Sequence, residues 1–195
     1  LIEHEDRQSH AGRLVGQIKQ GQQLTLDFEH PQCIDYSKAV CAAAGEYINK
    51  YEQLSQPGIF DGKTFQVEPD EVWSVHSYAG DYNPRHSHGV ATPAGLSSLM
   101  WLKVPDSFKN MKSSEDSSLH RASGIIDGWT QFTWGLNSAQ DLFRLKCQSQ
   151  EAIQPVEGRL LIWPNWLDHE VFPFFGEGER RTFVANFNIF DSIQE

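Results

Sequence analysis

The chain has 195 residues and a formal net charge of −10, and aromatic residues make up 12% of it. This length suits one domain with a substantial core, and the aromatic content suits a sheet-rich one. The acidic charge disfavours nucleic acids and anionic membranes as partners, because both repel negative charge. Three cysteines form no CxxC pair, which favours reduced thiols and a cytoplasmic location over a disulfide framework.

The first sixty residues predict a polar lead-in followed by one helix. Residues 1–30 are polar and glutamine-rich, so we expect them to pack loosely. Residues 35–54 follow the spacing of an amphipathic helix, which Pro57 and Gly58 then end. The apolar positions of this helix are Tyr36, Val40, Ala44, Tyr47, Ile48, Tyr51 and Leu54.

From residue 61 to residue 195 the apolar residues alternate or run in short blocks, which is typical of β-strands. A polar, serine-rich stretch at 105–127 predicts a loop or insertion. No alternating βαβ pattern is present, so we expect a single, mainly β domain, a jelly roll with the helix outside it. The candidate strands are EVWSVHSY, LSSLMWLKVP, GWTQFTWG, DLFRLKC, GRLLIWP and RRTFVANFNIF.

The stretch DYNPRHSHG, residues 81–89, holds two histidines one residue apart, His86 and His88. On a strand, residues i and i+2 point to the same face, so both imidazoles could approach one metal ion. A metal needs a further ligand, and His169 lies where the chain re-enters an apolar run. An H-x-H pair alone is weak evidence, and a polar patch of ordinary histidines is the alternative interpretation.

With these residues in view, the sequence resembles the iron- and 2-oxoglutarate-dependent oxygenases, which are built on a double-stranded β-helix. The resemblance rests on an H-x-H pair, a distant histidine and an arginine about ten residues later. It covers residues 72–190 and is strongest with small bacterial and phage oxygenases of this group. The segments that carry it are GDYNPRHSHG, LKVP, LIWPNWLDHEVFPF and GEGERRTFVANFN.

The resemblance implies Fe(II) and 2-oxoglutarate as cofactors, with His86, His88 and His169 as the metal ligands. It implies that an arginine binds the far carboxylate of 2-oxoglutarate, because a planar and permanently charged group suits that role. Arg181 is the expected residue, since it shares a strand face with Phe183, Ala185 and Phe187. We take this face as the inward set. Arg180 is the alternative if a bulge exchanges the two arginines. Tyr78 is a second expected contact to the co-substrate.

The match departs from the family at His88, where a carboxylate is usual. Either three histidines bind the iron, or a carboxylate replaces His88, with Asp81 and Glu170 the nearest in sequence, or solvent completes the site. The alternative function is a cupin-type metal enzyme or metal-binding jelly roll that does not use 2-oxoglutarate. The resemblance implies a hydroxylase acting on a small molecule or a peptide, and it leaves room for a homo-oligomer.

Overall fold

The computed structural model describes residues 7–31, 33–55, 65–92, 94–109, 126–135 and 148–191. Within these ranges nine strands form two antiparallel sheets, one of five strands in the order β1-β2-β9-β4-β7 and one of four in the order β3-β8-β5-β6. The strands are β1 (Gln22–Thr25), β2 (Phe65–Ser77), β3 (Asn83–His86), β4 (Gly95–Lys103), β5 (Thr130–Thr133), β6 (Gln150–Ile153), β7 (Leu160–Pro164), β8 (Asp168–Val171) and β9 (Arg180–Asp191).

The two sheets enclose an aromatic core, and this confirms the predicted jelly-roll architecture. The core includes side chains from both sheets, namely Trp73, Trp101, Phe132, Trp163 and Val184. Large aromatic side chains fill this space because each buries a wide apolar area and packs edge-to-face with its neighbours. The ring centroids of Phe132 and Trp163, from opposite sheets, lie 5.1 Å apart at 69°.

Helix α1 (Ile34–Ser55) covers the outer face of the five-stranded sheet, as the sequence predicted. Its buried residues recur every four positions, which places them on one helical face. This face packs on the outer side of β4 and β9, and the buried cluster comprises Val40, Ala44, Ile48, Leu96, Phe183, Ala185 and Phe187. Strand β9 is therefore buried on both faces, one toward the sheet interior and one toward the helix.

The lead-in is more ordered than the sequence predicted, and the expectation of loose packing is wrong for its described part. Strand β1 is an edge strand paired with β2, and two isolated bridges, Ser9 to Leu24 and Gln17 to Tyr82, tie down the segment between them. We call residues 9–17 the N-terminal strap. Backbone hydrogen bonds at a sheet edge need no apolar pattern, so a polar, glutamine-rich sequence can form them.

Most of the predicted strands fall within the described residues and can be compared with the structure, and one does not. Those for β2, β4, β5, β7 and β9 are confirmed, whereas the strand predicted over DLFRLKC lies outside the described residues. The insertion predicted at 105–127 begins with a short helix, α2 (Asp106–Lys109), and residues 110–125 also lie outside the description. In the part of the chain that the structure describes, no helix is long and apolar enough to cross a membrane.

Candidate active site

Neighbouring strands bring the three predicted histidines together. His86, at the end of β3, and His169, on β8, are directly opposite each other in the antiparallel register. His88 follows β3, and its backbone is held by Asn165, whose carbonyl accepts the His88 N–H at 2.9 Å. The Asn165 amide in turn donates to the His88 carbonyl at 3.1 Å. The i, i+2 spacing therefore places both imidazoles of the pair beside His169.

The histidine nitrogens converge on one point. One ring nitrogen from each of His86, His88 and His169 lies within 4.8 Å of the other two. The Nδ1 atom of His86 is 2.7 Å from the Pro84 carbonyl, and that of His169 is 3.1 Å from the Leu167 carbonyl. Because a carbonyl can only accept a hydrogen bond, Nδ1 carries the proton in both rings and Nε2 presents a lone pair.

The protonation states suit metal binding. Burial lowers the pKa of all three imidazoles, to about 3 for His88 and about 4 for His169, and the neighbouring histidines lower both further. The rings are therefore neutral at neutral pH, which is the form that binds metal ions.

The site fits a first-row divalent ion. The Nε2 atoms of His88 and His169 are 3.1 Å apart. Two nitrogens about 2.1 Å from one ion would show this separation at roughly a right angle. Three ligands that approach from one side leave the other side of an ion open, as in non-haem iron oxygenases.

The alternative carboxylates lie elsewhere. Asp81 is buried and accepts backbone N–H groups from Lys19, Gln20 and Tyr78, so it organises a turn. Glu170 follows His169 on β8 and accepts a hydrogen bond from Gln131, on the opposite face from His169 because strand side chains alternate. Among the described residues, the three histidines are the only group of three side chains able to share a metal ion.

A narrow cavity extends from the histidines into the space between the sheets. Its lining includes the apolar residues Trp73, Val75, Leu99, Trp163, Val171 and Val184, together with Asn83, Thr182 and Arg180. Arg180 is only 2% exposed, and its Nη2 atom donates to the Thr130 hydroxyl at 3.3 Å. Its Nε atom has no hydrogen-bond partner in the ranges that the structure describes, and burial lowers the pKa of the guanidinium to about 9. The cavity thus holds a cation without a counter-ion among the described residues.

The prediction that Arg181 faces inward is wrong, and the alternative, Arg180, occupies the interior. Arg181 does share a strand face with Phe183, Ala185 and Phe187, but this face packs under α1 rather than lining the cavity. The register between β2 and β9 is continuous through both arginines, so no bulge exchanges them. The error lay in taking the more apolar face of a doubly buried strand for the inward one.

Glu179 holds Arg181 on the outer side. Its carboxylate accepts two hydrogen bonds from Arg181, at 2.9 and 2.8 Å, and one from Lys103 at 3.2 Å. It also lies 2.8 Å from the His76 Nδ1 atom. Burial opposes ionisation of this carboxyl, but the hydrogen bonds from Arg181, His76 and Lys103 outweigh it and lower its pKa to about 2.

We expect Glu179→Gln to lower the free energy of unfolding by roughly 1–3 kcal/mol at neutral pH, because it removes charge-assisted hydrogen bonds. The pKa of Glu179 is lowered on folding, so its contribution is present above about pH 4.5 and is lost as the pH falls toward 2. Urea unfolding of both proteins between pH 7 and pH 3 measures this. A difference that stayed constant over that range would refute the assigned role.

Tyr78, the second expected contact to the co-substrate, follows β2 on the same outward side as His76. It is 38% exposed and is absent from the residues that line the cavity. Its placement does not support the expected contact, because Trp73 and Val75 are the residues of β2 that face inward.

An open groove of about 570 Å³ lies on the other side of the histidines. His86, His88 and Leu14 line both the groove and the cavity, so they separate the two spaces. The N-terminal strap forms one wall, where Arg13 pairs with Glu71 and the His10 ring stacks on Trp73 at 5.2 Å. The polar lead-in sequence gave no signal for this wall, because His10 and Arg13 stand singly in a segment without a motif, and only backbone pairing brings that segment to the site.

Comparison with known proteins identifies a family model that matches this sequence and solved structures that share its fold. A family model described as "Putative 2OG-Fe(II) oxygenase" matches residues 71–186. That range contains the three histidines and both arginines. No curated protein gives a match to the sequence.

Two solved structures share the fold. A prolyl-4-hydroxylase from Pseudomonas putida aligns with a TM-score of 0.51 at 16% identity, covering 94% of this chain and 78% of that one. AviO1 from Streptomyces viridochromogenes aligns with a TM-score of 0.51 at 10% identity, covering 94% and 73%. Identities this low establish the fold alone, while the family match covers more than half of the chain. The chain therefore belongs to the 2OG-Fe(II) oxygenase family and is an enzyme that uses Fe(II) and 2-oxoglutarate.

Proposed function

We propose that His86, His88 and His169 hold the iron and that Arg180 binds the far carboxylate of 2-oxoglutarate. One observation carries this proposal: three neutral imidazoles face the same cavity as a buried guanidinium that has no counter-ion among the described residues. A buried cation is costly unless an anion joins it. A dicarboxylate that reaches from the histidines to Arg180 would supply that anion.

The spacing along β5 supports this arrangement. Phe132 is opposite His169 in the register, and Thr130 stands two residues further along the same face. Two residues of a strand span about 7 Å, and the Thr130 hydroxyl contacts the Arg180 guanidinium. This offset along β5 is about the length of a five-carbon diacid, and the cavity of about 30 Å³ between the histidines and Arg180 would have to widen to admit one. The apolar cavity walls strengthen the attraction of Arg180 for a carboxylate by excluding water.

Iron and 2-oxoglutarate, once bound, would supply the oxidising chemistry with O₂ as the oxidant: one oxygen atom would enter the co-substrate as it is decarboxylated to succinate and CO₂, and the other would enter the substrate. The chain contributes orientation. Backbone carbonyls fix the His86 and His169 rings, Asn165 fixes the backbone of His88, and Arg180 fixes one end of the co-substrate. The buried setting keeps the histidines deprotonated, so no proton has to leave before a metal binds.

We place the substrate in the open groove, and we propose hydroxylation as the reaction. Enzymes of this family act on small molecules or peptides, and a groove of about 570 Å³ is within the size range of small-ligand sites. His86 and His88 form part of its floor, so a substrate there would lie beside the metal. The net charge of −10 supports a partner other than nucleic acid, and the free thiols of Cys33 and Cys41 support a cytoplasmic location.

Calorimetric titration with Co(II), a redox-stable substitute for Fe(II), tests the proposal. We expect one Co(II) ion per chain, then one 2-oxoglutarate per chain, and we expect the second binding event only in the metal-loaded protein. Metal binding without 2-oxoglutarate binding would contradict the proposal and favour a cupin-type site. Absence of metal binding would contradict both.

A further inference from the structure

We propose that the indole N–H of Trp163 donates a hydrogen bond to 2-oxoglutarate, at the end of the co-substrate nearer the histidines. This inference rests on the proposed function, because it assigns the cavity to the co-substrate. It adds a second binding group to the cavity beyond Arg180.

Trp163 is placed at the histidine end of the cavity by strand β7. Its side chain is 4% exposed, and its ring centroid lies 5.0 Å from that of His169 at an interplanar angle of 66°. The ring also packs edge-to-face on Phe132, the residue opposite His169 in the register. Arg180, on β9, contacts Thr130, which is two residues away from Phe132 on β5. The two groups therefore face the cavity at different depths.

The indole nitrogen of Trp163 is a buried donor, and no described residue offers it a hydrogen-bond acceptor. A buried indole N–H usually has a partner, because a buried donor that loses its water without gaining an acceptor destabilises the fold. Among the described residues that line this cavity, one other group has a buried donor without a partner. It is the Arg180 guanidinium, through its Nε atom. Two unpaired donors around one apolar cavity match an acceptor-rich dianion better than a neutral ligand.

Trp101 provides a matched comparison. Its indole N–H is also buried and has no partner within the described part of the chain, and its side chain is fully buried in the same core cluster. Trp101 is absent from the lining of the cavity. An effect that requires access to the co-substrate should therefore involve Trp163 and not Trp101.

Two measurements on the Zn(II)-loaded full chain test the inference. In a ¹⁵N-correlated spectrum, the indole signal of Trp163, assigned by its loss in Trp163→Phe, should move downfield on addition of 2-oxoglutarate. The Trp101 signal, assigned with Trp101→Phe, should move less. By calorimetry, Trp163→Phe should weaken 2-oxoglutarate binding roughly 10-fold. The same variant should leave Zn(II) affinity unchanged, because phenylalanine keeps the ring packing on His169.

The spectrum of the unmodified chain reports on the contact even if Trp163→Phe proves unstable. Tryptophan-to-phenylalanine variants at the other five of the six tryptophan positions, Trp101→Phe among them, then assign the Trp163 signal by exclusion. A Trp163 signal that stays in place at saturating 2-oxoglutarate would overturn the inference and leave the proposed function intact. Equal 2-oxoglutarate affinity in Trp163→Phe and the parent would do the same. If the parent loaded with Zn(II) bound no 2-oxoglutarate, the proposed function would fail, and this inference with it.

Discussion

His169→Ala should weaken iron binding by at least about 100-fold and abolish turnover. Loss of a hydrogen bond to a metal ligand already costs about 10- to 100-fold in affinity, and this change would remove one of the three proposed ligands outright. His169 is central to the site, since its ring contacts both His86 and His88. Anaerobic titration with Fe(II), followed by removal of loosely bound metal and iron analysis, measures the effect.

Two variants make the His169 experiment specific. His88→Asp should keep iron bound, because it places a carboxylate at the position where related oxygenases have one. His76→Gln should also keep iron bound, since His76 lies on the outward face beside Glu179. Circular dichroism checks that each variant is folded. A His169→Ala protein that held iron as tightly as the parent would refute the ligand assignment.

Arg180→Met should weaken 2-oxoglutarate binding while making the protein more stable. Loss of charge-assisted hydrogen bonds costs about 1.5–3 kcal/mol, or roughly 10- to 150-fold in Kd. Replacing a buried ion pair with apolar side chains of similar volume often stabilises a fold, by about 1–4 kcal/mol, and Arg180 lacks even a carboxylate partner among the described residues, so we expect a gain in stability here as well. For a chain of this size each kilocalorie raises Tm by about 2–4 °C. Calorimetry and thermal unfolding measure the two effects.

Two further measurements distinguish loss of a specific co-substrate contact from general destabilisation of the protein: the pH dependence of the stability of Arg180→Met, and the behaviour of Arg181→Met. Because burial lowers the pKa of Arg180 to about 9, its cost to folding is complete below pH 9 and is relieved as the pH rises further. The stability advantage of Arg180→Met should therefore shrink above pH 9. Arg181→Met should do the opposite at neutral pH, losing stability through Glu179 while binding 2-oxoglutarate normally. Normal co-substrate binding by Arg180→Met would contradict the account.

The histidine site was predictable from the sequence because its geometry is mostly local. The spacing of His86 and His88 sets their direction, and His169 needed only a neighbouring strand, which β8 supplies in register. The pattern could not decide whether a carboxylate replaces His88. The answer depends on where Asp81 and Glu170 lie in the fold. Asp81 lies in a turn, and Glu170 lies on the face of β8 opposite His169.

The orientation of the two arginines could not be read from alternation, because both faces of β9 are buried. Phe183 and Phe187 form the more apolar face, yet they contact α1, while the inward face carries Thr182 and Asn186 beside the cavity and the groove. An apolar pattern identifies a buried face but does not tell which layer buries it. The strap residue Leu14 was missed for a related reason, since its position depends on backbone pairing of a polar segment.

Anaerobic titration of the Fe(II)-loaded chain with 2-oxoglutarate, monitored by visible absorption, tests the central claim most directly. The account predicts that a weak absorption band grows to saturation at one 2-oxoglutarate per iron, with a much higher midpoint concentration in Arg180→Met. Arg181→Met should reproduce the behaviour of the parent. Iron that stays bound while no band develops at any 2-oxoglutarate concentration would contradict the claim that these histidines and Arg180 form one co-substrate site.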